Sequence, residues 1–257
     1  MTTRNWRAKD KRGGCKMICN ISRPNILTIS TFATTGTYTW VAPPYVTTID
    51  YLVVGGGGGG GAAYDTGSAG AGGGGLVLYG TISVSPGSTY TVVVGNGGTG
   101  GAGTFIAGIR GENSGNNGES SSFASVIALG GGGGYRSRVA NGVPGLGGTS
   151  ANGLIAPTGG NGAGNAVGGE DGGGGGGNTT GIPTVSGAAG AGLISNISGS
   201  SITYGAGGVG GRVNQSYTGA HGANNTGNGG GGAATISADY KSGGNGGSGI
   251  VILKYYI

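Results

Sequence analysis

The chain has few of the residues that carry out chemistry. Among its 257 residues are one histidine and two cysteines, and only 8% are charged. Cys15 and Cys19 lie four positions apart, and His221 is distant in sequence. A structural zinc site takes four Cys or His ligands, so these three residues are too few. Two free thiols are the default interpretation for a reducing compartment, with a disulfide as the alternative.

Proline and long apolar segments are also scarce. Seven prolines accompany 72 glycines, and glycine does not recur at every third position, so the chain is not collagen. No apolar segment reaches the roughly 18 residues of a membrane-spanning helix. No apolar stretch with a small-residue cleavage site follows the N-terminus, and we therefore expect synthesis in a cytosol without an export signal.

Enzyme motifs fail on their context. The glycine run 55–61 contains a GxGxxG pattern after a strand, but AAYDTGSAGAGGGG follows it and does not favour the helix that a nucleotide site requires. Glu170 and Asp171 are adjacent, whereas a glycosidase places two carboxylates across a cleft. We predict that the protein is not an enzyme and has no cofactor.

Apolar residues form clear strand patterns between the glycine runs. Tyr38 and Trp40 alternate before Pro43-Pro44, and Ile49, Tyr51 and Val53 alternate after it. The segment LVLYGTISVS-PG-STYTVVVG predicts a hairpin with a type II turn at Pro86-Gly87. A strand around Phe123 and a closing strand, GIVILKYYI, complete the β structure.

The glycine-rich excursions need a structure of their own. A structureless loop of about 120 residues is implausible inside an ordered module. In the polyproline II geometry, three residues per turn direct N–H and C=O groups sideways, so adjacent glycine helices can bond one another. We predict an all-β fold, an antiparallel β-sandwich whose excursions pack as a polyglycine II bundle.

Four ordered blocks carry a family resemblance: TFATTGTYTWVAPPYVTTIDYLVVGGGGGGG, GGGGLVLYGTISVSPGSTYTVVVGNGG, GESSSFASVIALGGGGG and GGNGGSGIVILKYYI. In these blocks the chain resembles the glycine-rich repeat proteins of phages and large DNA viruses, which include tail-fibre tip adhesins with polyglycine II helices. The resemblance implies a non-enzymatic structural protein located in the virion. Its partners would be capsid, fibre or tail subunits, with a host receptor or glycan as a further partner. A stand-alone matrix, silk-like or ice-binding protein is the alternative.

Four segments follow from these patterns. We predict a basic arm over residues 1–30, a β-sandwich with interleaved glycine-rich loops over 31–134, a polyglycine II region over 135–248, and a closing strand over 249–257.

The arm carries seven of the 13 basic residues and one of the eight acidic ones. We expect it to anchor the chain on a neighbouring protein, while nucleic-acid binding and a solvated tail are less favoured. The candidate anchoring residues are Arg4, Trp6, Arg7, Lys9, Lys11, Arg12, Lys16 and Arg23.

Several tyrosines lie in or beside the glycine-rich excursions. Tyr64, Tyr135, Tyr204 and Tyr217 are candidate receptor contacts, because aromatic side chains supply rigid contact area to a binding surface. The structural alternative is that they fix the edges of the glycine lattice to the sandwich.

Overall fold

The computed structural model describes residues 4–6, 19–21, 25–64, 67–106, 109–136, 188–212, 215–237 and 239–257. These residues form an all-β structure of antiparallel sheets and contain no helix. The strands are β1 (Arg4–Trp6), β2 (Cys19–Ile21), β3 (Leu27–Phe32), β4 (Gly36–Val41), β5 (Thr48–Val54), β6 (Ala63–Tyr64), β7 (Val77–Ser83), β8 (Thr89–Val94), β9 (Gly103–Ile106), β10 (Ile109–Glu112), β11 (Ser121–Phe123), β12 (Val126–Ala128), β13 (Leu193–Ser195), β14 (Ile202–Tyr204), β15 (Tyr240–Lys241) and β16 (Ile250–Tyr256).

Two four-stranded sheets form a sandwich. The first has the order β3-β16-β5-β7 and the second the order β12-β11-β8-β4. Smaller two-stranded pairs are β1-β2, β9-β10, β13-β14 and β6-β15. The predicted antiparallel sandwich is therefore confirmed, and β16, near the C-terminus, lies inside the first sheet between β3 and β5.

Trp40 lies at the centre of the core between the sheets. Its side chain is only 6% exposed, and its ring lies 5.5 Å from that of Tyr255 and 5.8 Å from that of Phe123. Val92 and Leu253 approach from the two sheets and are fully buried. Alternation along each strand directs one set of side chains inward, as a half-buried sheet requires.

The predicted hairpin between residues 76 and 95 is wrong, although its turn is present. Ser88 N–H donates to the Ser85 carbonyl at 3.0 Å, and Gly87 has a φ of +77°, which suits the third position of a type II turn. However, β7 pairs with β5 in the first sheet, while β8 pairs with β4 and β11 in the second. The apolar faces of β7 and β8 therefore pack against each other across the sandwich, because side chains from the inner faces of two packed sheets form the shared core.

The outer face of the first sheet is covered next to the bundle. Tyr204 and the β13-β14 pair pack on Leu52, Val54 and Ile252 in a second buried cluster. Further along the same face, Tyr79 is 63% exposed. The cover therefore protects the part of the sheet from which the glycine runs depart.

The ends of the strands define the polarity of the molecule. β5 ends at Val54, directly before the glycine run 55–61, and β16 begins directly after Gly249. At the opposite end of the sheet, the backbones of Ile26 and Ile257 exchange two hydrogen bonds of 3.0 Å. The end of the sandwich at Ile26 and Ile257 is called the proximal end. The end of the glycine segments that is farthest from the sandwich is called the distal end.

Candidate functional site

Within the described residues, nine glycine-rich segments form the bundle, and we name them in chain order. They are PG1 (55–62), PG2 (69–76), PG3 (95–102), PG4 (113–119), PG5 (129–136), PG6 (205–212), PG7 (217–223), PG8 (227–234) and PG9 (242–249). Five of the nine lie before residue 137, so the bundle and the sandwich alternate along the chain. Residues 137–187 of the predicted polyglycine region lie outside the described residues.

PG1 is the centre of the bundle, and its amides donate in a repeating order of three. Gly55, Gly58 and Gly61 donate to PG2, Gly56, Gly59 and Ala62 donate to PG4, and Gly57 and Gly60 donate to PG9, with N···O distances of 2.8–3.0 Å. A three-residue period of partners is the signature of the polyproline II geometry. The predicted polyglycine II packing is thus confirmed for the described residues.

The carbonyls of PG1 complete a hexagon. Those of Gly56 and Gly59 accept from PG5, those of Gly57 and Gly60 accept from PG3, and those of Gly58 and Gly61 accept from PG8, at 2.8–3.1 Å. PG2, PG4 and PG9 run antiparallel to PG1, whereas PG3, PG5 and PG8 run parallel to it. Each pair of adjacent neighbours is itself hydrogen-bonded, so the segment is buried, and its eight amides and the carbonyls of residues 56–61 are all satisfied, as buried peptide groups require.

Only glycine permits this spacing. A Cβ built on any glycine of PG1 would lie 1.9–2.2 Å from a carbonyl oxygen of a neighbouring segment. Real Cβ atoms essentially never approach closer than 3.0 Å. The glycine run that begins at Gly55 is therefore a steric requirement of the hexagon.

Short polar side chains replace the missing neighbours at the periphery of the bundle. Asn117 Oδ1 accepts from Gly133 N–H, and Asn245 Oδ1 accepts from Gly100 N–H, each at 2.8 Å. His221 accepts at Nδ1 from Asn245 N–H at 2.9 Å. Sequence reasoning missed these residues, although asparagine and serine interrupting a glycine run at three-residue spacing could have indicated them.

Three of the four candidate tyrosines lie at the distal end. Tyr64 stacks on Tyr240, with ring centroids 4.3 Å apart, where β6 pairs with β15. Tyr135 is 45% exposed at the end of PG5, and the half-buried Tyr217 starts PG7 and donates from its hydroxyl to the Gly210 carbonyl at 3.3 Å. The structure therefore brings these aromatic residues to one end of the molecule.

Tyr204 has a different environment, because it lies beside the sandwich. Its side chain is 1% exposed in the cluster with Leu52 and Ile252. Burial raises the pKa of its hydroxyl above the ordinary value. Tyr204 thus has a packing role and is not available on the surface for a receptor.

The anchoring residues are only partly within the described residues. Arg4 and Trp6 belong to β1, which pairs with β2 through Arg4–Ile21 and Trp6–Cys19. Arg7, Lys9, Lys11, Arg12, Lys16 and Arg23 lie outside the described residues, as does Cys15. The role of the arm remains a prediction.

An ion pair lies in the distal loops, between Lys241 and Asp239. Lys241 Nζ lies 2.7 Å from Asp239 Oδ2, and hydrogen bonds from Lys241 and from the Tyr240 backbone lower the pKa of the exposed Asp239 carboxyl. Within the described ranges, no three His, Cys, Asp or Glu residues are grouped so as to hold a metal ion. The same residues include no helix of the length and apolarity needed to cross a bilayer.

The fold and the bundle together define a class of protein: an all-β sandwich whose strands extend into a hexagonal array of glycine helices. The family model for the glycine-rich domain matches residues 32–256, and the chain belongs to this family. No curated protein matches the chain. The family match carries no link to phages or viruses, so that part of the resemblance remains a hypothesis.

Proposed function

We propose that this chain is a non-enzymatic structural protein of a virus particle, either a surface spike or fibre component or a minor capsid component. The observation that carries the proposal is the polarity of the molecule. The chain enters the sandwich at the proximal end through Ile26, while the loops after Gly61 and Ala234 lie at the distal end. A chain that enters at one end and presents loops at the other suits a protein that is attached by its base and projects.

The bundle has the properties of a rigid spacer. Each of its segments has seven or eight residues, which at about 3.1 Å per residue gives a length of about 25 Å. Its backbone bonds connect segments that are distant in sequence, such as Gly60 to Gly244 and Gly58 to Gly73. Such cross-links hold the distal loops at a fixed distance from the sandwich.

The basic arm provides the attachment in this proposal. Its seven basic residues, among them Arg7, Lys11 and Arg23, are opposed by Asp10 alone. Positive charge concentrated in about 20 residues binds acidic surfaces of neighbouring capsid, fibre or tail subunits. The rest of the chain holds six basic and seven acidic residues, so the arm alone carries the excess charge.

Receptor binding at the distal end is the finer part of the proposal. The stacked pair of Tyr64 and Tyr240 and the half-exposed Tyr135 present aromatic surface there. Aromatic side chains give large contact areas at a low cost in conformational entropy, and their polar groups bond the rim of a ligand. A host glycan or a receptor loop is the partner that this surface fits.

Co-sedimentation with purified particles tests the anchoring. Replacing all seven basic residues of the arm by glutamine should remove the chain from the particles, while Lys241→Gln, a control at the distal end, should leave it bound. Circular dichroism would check that both variants are folded. Retention of the glutamine variant, or absence of the parent chain from particles, would refute the anchoring.

Adsorption of particles to host cells tests the distal surface separately. Tyr135→Ala should lower adsorption, whereas Tyr79→Ala, which alters a tyrosine 63% exposed on the sandwich, should not. Equal adsorption by both variants, each incorporated normally, would leave the protein as a structural component without a receptor role.

A further inference from the structure

Among the described residues, PG8 has neighbours on five of its six sides. It donates to PG1, PG6, PG7 and PG9 and accepts from PG2, PG7 and PG9. The sixth side is a groove of about 340 Å³ between PG6 and PG7. Val209 and Ala220 form its two walls, and Gly231 and Gly232 form its floor.

Backbone groups that face this groove lack partners among the described residues. In the hexagon, the N–H and C=O groups of one residue bond adjacent neighbours, as Gly58 does with PG2 and PG8. Gly232 N–H bonds PG6, so its carbonyl is directed to the next position, which is the groove. The same rule applies to Val209 and Ala220, whose carbonyls accept hydrogen bonds from PG8. Their amides are therefore directed to the adjacent position, which is again the groove. Neither amide donates a hydrogen bond, and the Gly232 carbonyl accepts none, within the part of the chain that the structure describes.

The rest of the periphery shows how such groups are otherwise satisfied. On the same side of PG8, one turn earlier, Asn228 Oδ1 accepts from Ala206 N–H at 2.9 Å. Three residues further along, the equivalent position is Gly231, which has no side chain to reach Val209. Val209 and Ala220 are apolar, and neither Gln215 nor Thr218, which also line the groove, accepts a hydrogen bond from their amides. The groove is thus uncapped where Asn117 and Asn245 cap the bundle elsewhere.

The groove also has room that the interior lacks. A Cβ on Gly231 would meet its nearest atom, Ala220 N, at 3.0 Å, compared with 1.9 Å for Gly60 inside the hexagon. At the distal end of the groove, Tyr217 bonds the Gly210 carbonyl. The open length is therefore about two turns of a glycine helix, with Asn228 at one end and Tyr217 at the other.

We propose that this groove is a docking site for one glycine-rich segment of a partner protein, bound in the polyglycine II conformation as a tenth helix. The site continues an interface that already covers the other five sides of PG8. It offers donors on both walls and an acceptor on its floor, a pattern that matches a peptide backbone, and the exposed Arg212 also lines it. Close approach to Gly231 and Gly232 favours glycine in the bound segment for the steric reason that applies in PG1.

Amide hydrogen exchange of the isotopically labelled full chain tests the proposal. The probe is a peptide of seven glycines with one lysine at each end, and its control replaces the glycines by alanines. The glycine peptide should slow exchange at the amides of Val209 and Ala220 by about tenfold, because each gains an acceptor. The alanine peptide should leave both rates unchanged.

A variant makes the test specific to the groove. Gly231→Asn places at this turn the side chain that Asn228 supplies one turn earlier, so it should abolish the effect of the glycine peptide. Unchanged exchange at Gly58 and Gly60 would show that this variant is folded. Protection of Val209 and Ala220 before any peptide is added would mean that the chain fills its own groove. Any of three outcomes would overturn the proposal. They are this protection in the free chain, an unchanged exchange rate with the glycine peptide, and equal protection by the alanine peptide.

Discussion

Replacing Gly58 by alanine should severely weaken the bundle. The added Cβ would lie 2.0 Å from the Gly132 carbonyl oxygen, so PG5 must move away from PG1 by at least about 1.4 Å to reach ordinary contact. The two 2.8 Å bonds from Gly131 and Gly134 to PG1 would then be lost. Each buried polar group left unsatisfied costs about 1–3 kcal/mol, so the free energy of unfolding should fall by about 4 kcal/mol.

Thermal unfolding followed by circular dichroism measures this effect. For a chain of this size, 1 kcal/mol shifts Tm by about 2–4 °C, and we expect a decrease of about 10 °C. Gly231→Ala is the matched control, because its added Cβ would lie 3.0 Å from the nearest atom, Ala220 N. Alanine also lowers the conformational entropy of the unfolded chain, which offsets about 0.4–1 kcal/mol of strain. If Gly58→Ala unfolds within about 2 °C of the control, steric exclusion is not the reason for glycine in PG1.

Two further predictions concern single side chains. Asn228→Ala removes the acceptor of the 2.9 Å bond from Ala206 N–H and should lower the free energy of unfolding by about 1–2 kcal/mol in chemical denaturation, whereas the exposed Asn224→Ala should change it little. Because burial raises the pKa of Tyr204 in the folded state, its contribution to stability is complete below the unfolded value of about 10 and is lost as pH rises through the folded pKa. Tyr204→Phe should therefore show a shallower loss of stability between about pH 9 and 11 in a denaturation series, and identical slopes would contradict this assignment.

Much of the sandwich could be predicted from local patterns. Alternation identified the faces that bury Trp40, Ile49 and Val53, and the Pro86-Gly87 turn has the expected backbone. Pairing was less accessible, since nothing in the alternation of β7 and β8 distinguishes two strands in one sheet from two strands in facing sheets. The hairpin prediction failed for this reason.

The bundle could be predicted as a type of structure, while its arrangement could not. Runs such as 55–61 indicate polyglycine II because few other structures use them, yet a run of identical residues does not specify which neighbour each amide bonds. The specific contacts depend on residues that interrupt the runs, such as Asn117, Asn228 and Asn245. Which amide each of these asparagines bonds depends on how distant segments pack in three dimensions.

The three-residue repeat in the hexagon has a consequence for folding. If PG1 slid by three residues along its neighbours, about 9 Å, each backbone bond would be remade with an equivalent partner. The bonds of the hexagon therefore cannot by themselves choose one register from several of similar energy. The register is set by β5, which fixes the position where PG1 starts, and by asparagines such as Asn117, whose side chain bonds a single amide. We therefore expect the sandwich to form before the glycine segments pair, because the positions of its strands determine the register in which the segments bond.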